Sequence, residues 1–395
     1  MSKSIIVIGG GPAGLMSAIS AASNGASVTL LEANDKPGKK LLATGNGRCN
    51  FTNIKQEKQY YRGSDSDYAM EILKQFTMPD TLQFFSKLGI YSKNRSGWMY
   101  PNSDQAASVL DVLLMEAAYR KIKIKTRELV KEILPSEEGW TAKTDTWEYH
   151  GDAVIITSGS PASNVEGSRD WGVKAADGLG IKTIPMLPAL TGLRGNGNNY
   201  SRWAGVRIQG EATLVLNGEV MKTEVGEIQL TDYGISGIPV FQLSRYAIRA
   251  IREGCSVVVE LDFLPDFTEE ELYFNLENRE ENCPYKSLPE QLIGLIPSKL
   301  IPIVAPIEAD IREIIRNCKQ YPVSIKGASS LQQSQVCSGG VLTENLDAHL
   351  QSIQYPGLYF AGEVVDVDGA CGGYNLQWAW SSGAVAGRDA SKERV

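Results

Sequence analysis

The stretch KSIIVIGGGPAGLMSAISAASNGASVTLLEAN, residues 3–34, constrains this chain more than any other. Ile5 to Ile8 is a short apolar run, which reads as a strand buried on both faces of a parallel sheet. Gly9, Gly11 and Gly14 follow in a G-x-G-x-x-G spacing, with Pro12 and Ala13 between them. Leu15 to Asn24 has helical character and Gly25 is a helix stop. Val28 to Leu31 is a second strand that ends in Glu32. Each glycine has a mechanical reason. Gly9 permits the tight turn, Gly11 lets a pyrophosphate approach the backbone, and Gly14 lets helix and strand pack closely. The helix N-terminus offers unpaired N–H groups and a partial positive charge to phosphates. Glu32 can accept hydrogen bonds from a ribose diol and repels a 2′-phosphate. The nucleotide expected here is therefore NAD or FAD rather than NADP.

The next segment, KPGKKLLATGNGRCNFTN from Lys36 to Asn53, favours FAD. A simple dehydrogenase continues with helix and strand at this point, whereas this chain has small, polar and basic residues. Such a segment can run along an extended cofactor and present backbone donors and cations. Lys40, Thr44, Gly45, Arg48 and Asn50 are the candidates within it. A solvated surface loop is the alternative reading. Helices are expected over 67–76, 81–87 and 105–119. KIKIKTRELVKEI then alternates as a strand with Val130 at its end, a further candidate for cofactor contact. A meander follows and returns to a buried strand, Ala153 to Thr157, that stops at Ser158 and Gly159.

Near the other end, YPGLYFAGEVVDVDG is again an apolar strand, running into Gly362 and Glu363. An acid just past a strand end can bind a ribityl hydroxyl. GACGGYNLQWAWSSGAVAG then opens a helix whose bare start can face a flavin ring. Reduced flavin carries negative charge around N1 and the C2 carbonyl, which a helix N-terminus stabilises by about 0.3–1 kcal/mol when exposed. Gly373, Asn375 and Leu376 are the candidates at that start. Trp378 and Trp380 are expected to pack inside the protein.

These blocks resemble the BaiN/YhiN-type FAD-dependent oxidoreductases, a branch of the two-dinucleotide-binding-domain flavoproteins that includes aminoacetone oxidase-like enzymes. The resemblance rests on IIVIGGGPAGLMSA, GKKLLATGNGRCNFTN, GEIQLTDYGISGIPVFQLSR, SGGVLTENL and GLYFAGEVVDVDGACGGYNLQWAWSSGAVAG, which span almost the whole chain. It implies an α/β architecture: a Rossmann-like FAD-binding domain interrupted by a β-barrel-like insert and a small helical domain. The boundaries expected are 1–189 and 336–395 for FAD, 190–266 and 321–335 for the insert, and 267–320 for the helices. It also implies hydride transfer between flavin N5 and a small molecule, by amine oxidation or by reduction of an activated double bond. An FAD-bound sensing or RNA-modifying protein is the alternative. Arg48 and Tyr374 are the candidate catalytic residues. Arg48 could equally serve in a salt bridge or phosphate contact, and Tyr374 as a packed residue. The chain departs from the family in reading Gly159-Ser160 where a Gly-Gly is usual.

Net charge is −7 over 395 residues, which argues against non-specific nucleic-acid binding. Six scattered cysteines and two histidines give no metal-ligand spacing, so no metal is expected. Neither a signal peptide nor a membrane span is apparent, and a reducing, cytoplasmic setting is expected. No second nucleotide fingerprint appears, so NAD(P)H is expected to act as a transient electron donor, with oxygen as the alternative partner of the flavin. Cys49 and Cys371 fall in loops expected to face the flavin. Nothing in the sequence sets the oligomeric state.

Overall fold

A computed structural model describes residues 2–393 apart from 137, 164 and 198. The chain divides into two compact units, Met1–Met186 with Val336–Val395, and Leu187–Gln335.

The first unit is built on a five-stranded parallel sheet. Its order is Leu358–Phe360, Ala153–Ile156, Ser4–Ile8, Ser27–Glu32 and Lys123–Thr126. The N-terminal strand sits in the middle, with Val7 paired to Leu30 on one side and Ile155 on the other. A strand covered on both faces has no use for alternation, which is why Ile5–Ile8 and Ala153–Ile156 are apolar throughout. The late strand Leu358–Phe360 pairs with Ala153–Ile156, so both ends of the chain contribute to one sheet.

The first helix spans Pro12–Ser23, starting three residues before the expected Leu15. Pro12 explains the early start, because its fixed φ suits the first helical position and its missing N–H would be unpaired there anyway. The last helix, Tyr374–Ala390, is almost wholly buried. It crosses the first helix at very short range. A methyl on Gly383 would stand 2.6 Å from the Ala13 carbonyl oxygen, and one on Gly387 would overlap that of Ser17. Ser20 Oγ adds a hydrogen bond to the Ala384 carbonyl at 2.8 Å. Trp378 and Trp380 lie inside, 1% and 0% exposed.

Between these ends, helices run over Ser66–Gln75, Met78–Lys87 and Ala106–Tyr119. Asp65 caps the first, and Thr77 forms a reciprocal capping box with Asp80 on the second. The expected strand KIKIKTRELVKEI is broken in two, Lys123–Thr126 and Glu132–Ser136. Arg127 adopts a left-handed backbone (φ 59), which ends the first strand. Val130 therefore lies in the connecting loop and not at a strand end.

The second unit is a closed six-stranded barrel. Its order is Leu193–Gly195, Gly234–Gly237, Glu219–Leu230, Arg207–Leu216, Val257–Asp262 and Tyr321–Ala328. The helix Ile238–Arg252 buries Val240, Leu243 and Ala247 in the barrel's core. Leu272 and Leu276 of the helix Glu269–Asn282, and Ile314 and Ile315 of Ile311–Lys319, join the same core.

Candidate functional site

The turn after the central strand is shaped by close approaches. Gly9 has a φ of +106, and a methyl there would lie 2.6 Å from the Thr157 carbonyl oxygen. A methyl on Gly14 would overlap the Gly9 carbonyl oxygen, so only glycine lets the helix pack this low on the strand. Gly11 differs: nothing lies within 4 Å of where its methyl would be. The first helix starts at that open point with no side-chain cap. Thr157 Oγ1 fixes the turn from beneath by donating to the Ile8 and Gly9 carbonyls, both at 2.9 Å.

Glu32, 8% exposed, braces the same turn. Its carboxylate accepts from the Gly10 N–H and the Asn34 N–H, each at 2.8 Å. Val130 is buried on the loop beside it, laid there by Arg127 N–H to Asn34 O and Glu128 N–H to Glu32 O.

The segment after Lys36 folds as a short helix, Lys39–Ala43, and a tight turn, Thr44–Gly47. Gly45, Asn46, Gly47 and Cys49 all adopt left-handed backbone, which coils the segment back on itself. Thr44 Oγ1 donates to the Leu41 carbonyl at 2.7 Å. The Asn50 side chain, with its amide oriented by the hydrogen-bond network, donates to the Thr52 and Met99 carbonyls and accepts from the Gly373 N–H at 3.2 Å. This residue thus ties the segment to the start of the last helix. Trp380 Nε1 adds a bond to the Phe51 carbonyl at 2.9 Å. Deeper in, the Gln377 side chain accepts from Thr52 Oγ1 at 2.5 Å and donates to Thr81 Oγ1 and Ser381 Oγ, both at 2.9 Å.

The last helix begins at Gly373 (φ 94) with no side-chain cap, preceded by Gly372 (φ 126). Asn375 spends its side chain on the turn before it, accepting from the Gly369 N–H at 2.8 Å and donating to the Gly369 carbonyl at 2.9 Å. Leu376 is 8% exposed. The strand–turn ending in Gly362 is fastened to this helix from two sides: Gly362 N–H donates to Ser382 Oγ at 2.9 Å, and Trp378 Nε1 donates to the Gly362 carbonyl at 3.0 Å.

Four segments meet at Glu363. Lys40 Nζ lies 2.6 Å from one carboxylate oxygen, while Ser160 Oγ (2.7 Å) and the Cys337 N–H (3.0 Å) donate to the other. Ser160 is the residue that stands where the resembling family usually has glycine. Next to it, Gly159 (φ 71) faces open space, and Ser158 Oγ is buried with no hydrogen-bond partner among the described residues.

The sequence profile of the HI0933-like protein Rossmann domain aligns with residues 3–389. The chain belongs to the HI0933-like Rossmann family. It is 40% identical to a 3-dehydro-bile acid delta(4,6)-reductase from Clostridium scindens, over 98% of each chain. It is 29% identical to a ribosomal RNA dihydrouridine synthase from Escherichia coli, over 97% of each chain. In three dimensions it resembles a 3-ketosteroid delta1-dehydrogenase from Sterolibacterium denitrificans, with a TM-score of 0.51 at 12% identity, covering 99% of this chain and 100% of the other. That likeness speaks for the fold.

This HI0933-like protein is an FAD-dependent oxidoreductase. Its residues fit that cofactor: two helices with uncapped N-termini, one open position at Gly11, and an orphaned buried hydroxyl on Ser158.

The two candidate catalytic residues have different surroundings. Arg48 is exposed and makes no ion pair among the described residues. Tyr374 is 3% exposed, stacked on Tyr60 at 4.6 Å and edge-on to Tyr61 at 5.7 Å, and burial raises its phenol pKa. The thiols are held protonated. Burial pushes Cys49 and Cys337 up to about 12 and Cys371 to about 11. None of the six cysteines is in a disulfide. The sequence reading passed over one residue, Tyr100, on the hairpin Ser92–Arg95 and Trp98–Pro101. Its only sequence signal was the aromatic alternation of Trp98 and Tyr100 around Met99. Among the described residues no helix is long and apolar enough to cross a membrane.

Proposed function

We propose that this flavoprotein reduces a carbon–carbon double bond conjugated to a carbonyl, on a flat polycyclic substrate of the 3-oxo bile acid type. The carrying observation is the 40% identity, over 98% of both chains, to the delta(4,6)-reductase. FAD supplies hydride donation and acceptance at N5. The turn Gly9–Gly14, with Pro12 and Ala13 opening the first helix, would hold the diphosphate against that helix's N–H groups. Glu32 keeps lone pairs for ribose hydroxyls beyond the two backbone bonds it already accepts. Val130, Ser158 and Gly159 would line the cofactor's path at the strand ends. Thr44, Gly45, Arg48 and Asn50 would border the ring on one side. Asn375 and Leu376 would present the last helix's N–H groups to it, and Gly373, whose own N–H is held by Asn50, would let the ring come close to the main chain. Lys40 and Glu363, locked to each other, would present a neutralised pair with no net charge to the cofactor's middle.

A reduced pyridine nucleotide, bound transiently, is the proposed electron donor. The relative named as a dihydrouridine synthase supports a second reading, reduction of the uracil C5–C6 double bond, which is also conjugated to a carbonyl. The net charge of −7 disfavours RNA as a partner. Anaerobic mixing of the NADH- or NADPH-reduced holoenzyme with a 3-oxo-4,6-diene bile acid tests the choice. Return of the oxidised flavin spectrum together with loss of the diene absorbance is expected. Flavin that stays reduced with the bile acid, but reoxidises with unmodified ribosomal RNA, would replace the first reading by the second.

A further inference from the structure

We infer that Tyr100 binds the substrate's carbonyl oxygen through its phenol O–H; this rests on the conjugated-ketone reading above. The strand Trp98–Pro101 carries it there. Met99 turns into the core, and its carbonyl accepts from the Phe51 N–H at 3.0 Å and from Asn50. Trp98 and Tyr100, on the opposite face by the two-residue period of a strand, cover the two glycine turns at once. Trp98 lies over Gly372, its indole nitrogen 3.4 Å from where a methyl would be. Tyr100 lies over Gly45, its ring edge 3.7 Å from the corresponding point. One strand face therefore roofs both the segment after Lys36 and the entry to the last helix.

The hydroxyl itself is unclaimed. Tyr100 is only 9% exposed, yet no described residue hydrogen-bonds its oxygen. The ring is buried while the oxygen itself is open to solvent, so a ligand atom can reach it. Its surroundings also keep it a donor. Burial raises its pKa, and that effect outweighs the pull of Arg48 and Arg95; Cys371 and Asp104 push the same way as burial. Arg95 further fixes the ring, its guanidinium 5.5 Å from the centroid. A neutral, oriented donor beside cations suits an oxygen that gains negative charge as hydride reaches the far end of the conjugated system.

Tyr100→Phe removes the hydroxyl and keeps the ring. Titrate oxidised holoenzyme with 3-oxo-4-cholenoic acid and with its 3-deoxy counterpart, following the flavin absorbance. Y100F is expected to bind the ketone about tenfold more weakly, and the deoxy compound as the wild type does, with FAD affinity and melting temperature unchanged. Equal ketone affinity in the two proteins overturns the role of Tyr100 alone. A wild type that shows no response to the ketone refutes the substrate class, and this assignment with it. Arg95→Leu, which releases the ring from its cation, gives a second variant: ketone selectivity over the deoxy compound falls if the ring's orientation matters, and stays if Tyr100 is not the donor.

Discussion

Two glycines three residues apart separate folding from cofactor binding. Gly14 has a backbone oxygen where its methyl would go, whereas Gly11 has open space and an ordinary φ of −76. Gly14→Ala is expected to destabilise the protein by about 3 kcal/mol, since the clash is with main chain that cannot swing aside. Gly11→Ala is expected to melt within about 1 kcal/mol of wild type, or slightly higher because it restricts the unfolded chain, yet to bind FAD at least tenfold more weakly. Thermal melts of the apoproteins and FAD titrations read both effects; G11A with wild-type FAD affinity would remove the diphosphate from this turn. A second residue-scale consequence concerns Cys49. Its thiol is pushed from an ordinary 9.0 up to about 12 by burial, so the native state prefers it protonated. That stability is intact below pH 9 and is lost as pH rises from 9 towards 12, because the unfolded thiol ionises first. Cys49→Ala is therefore expected to lower the urea midpoint at pH 8 and to lose much of that deficit by pH 10.5. A native Cys49 that reacts with iodoacetamide at pH 8 as fast as an unfolded one would contradict its burial. The glycine spacing and Glu32 were legible in the sequence because they are local. That Glu363 is already engaged by protein donors was not, since Lys40, Ser160 and Cys337 come from three distant segments.

At the scale of elements, the crossing of the first and last helices decides whether the two uncapped N-termini share one site. The sequence announced both helices by composition. It did not announce the crossing, because Gly383 and Gly387 read only as small residues in an apolar helix until Ala13 and Ser17 are seen behind them. Gly387→Val puts side-chain atoms onto the Ser17 carbonyl. It should cost about 3 kcal/mol and weaken FAD binding too, since the helices would have to part. Ser20→Ala, which removes only the bond to the Ala384 carbonyl, should cost about 1 kcal/mol and leave FAD binding intact. Denaturant unfolding of both variants with and without FAD checks the contrast. A G387V protein with unaltered FAD affinity would mean the two termini do not act together. The split strand at Arg127 marks the opposite limit of sequence reading: a left-handed residue other than glycine is chosen by its tertiary surroundings, and the alternation on either side gives no warning of it.

At the scale of the whole molecule, two hydrophobic cores do not share a residue. One gathers Ile5–Ile8, the first and last helices and the strands of the parallel sheet; the other gathers the barrel and the helices from 269 to 319. The chain leaves the first unit along Thr183–Ala189 and comes back along Val336–Val341, and these strands are neighbours in one small sheet. At the point of exit the Gln335 N–H meets the Leu190 carbonyl at 3.2 Å. Replacing residues 191–334 by a short glycine-serine linker therefore closes a small gap, at an entropic cost that grows only slowly with linker length. Every residue proposed to hold FAD lies in the part that remains. The shortened protein is expected to purify yellow, to bind FAD within about tenfold of the full chain, and to unfold in a single transition. If it folds, by circular dichroism, but stays colourless with added FAD, then the barrel unit contributes directly to holding the cofactor, and the assignment of the whole site to the first unit is wrong.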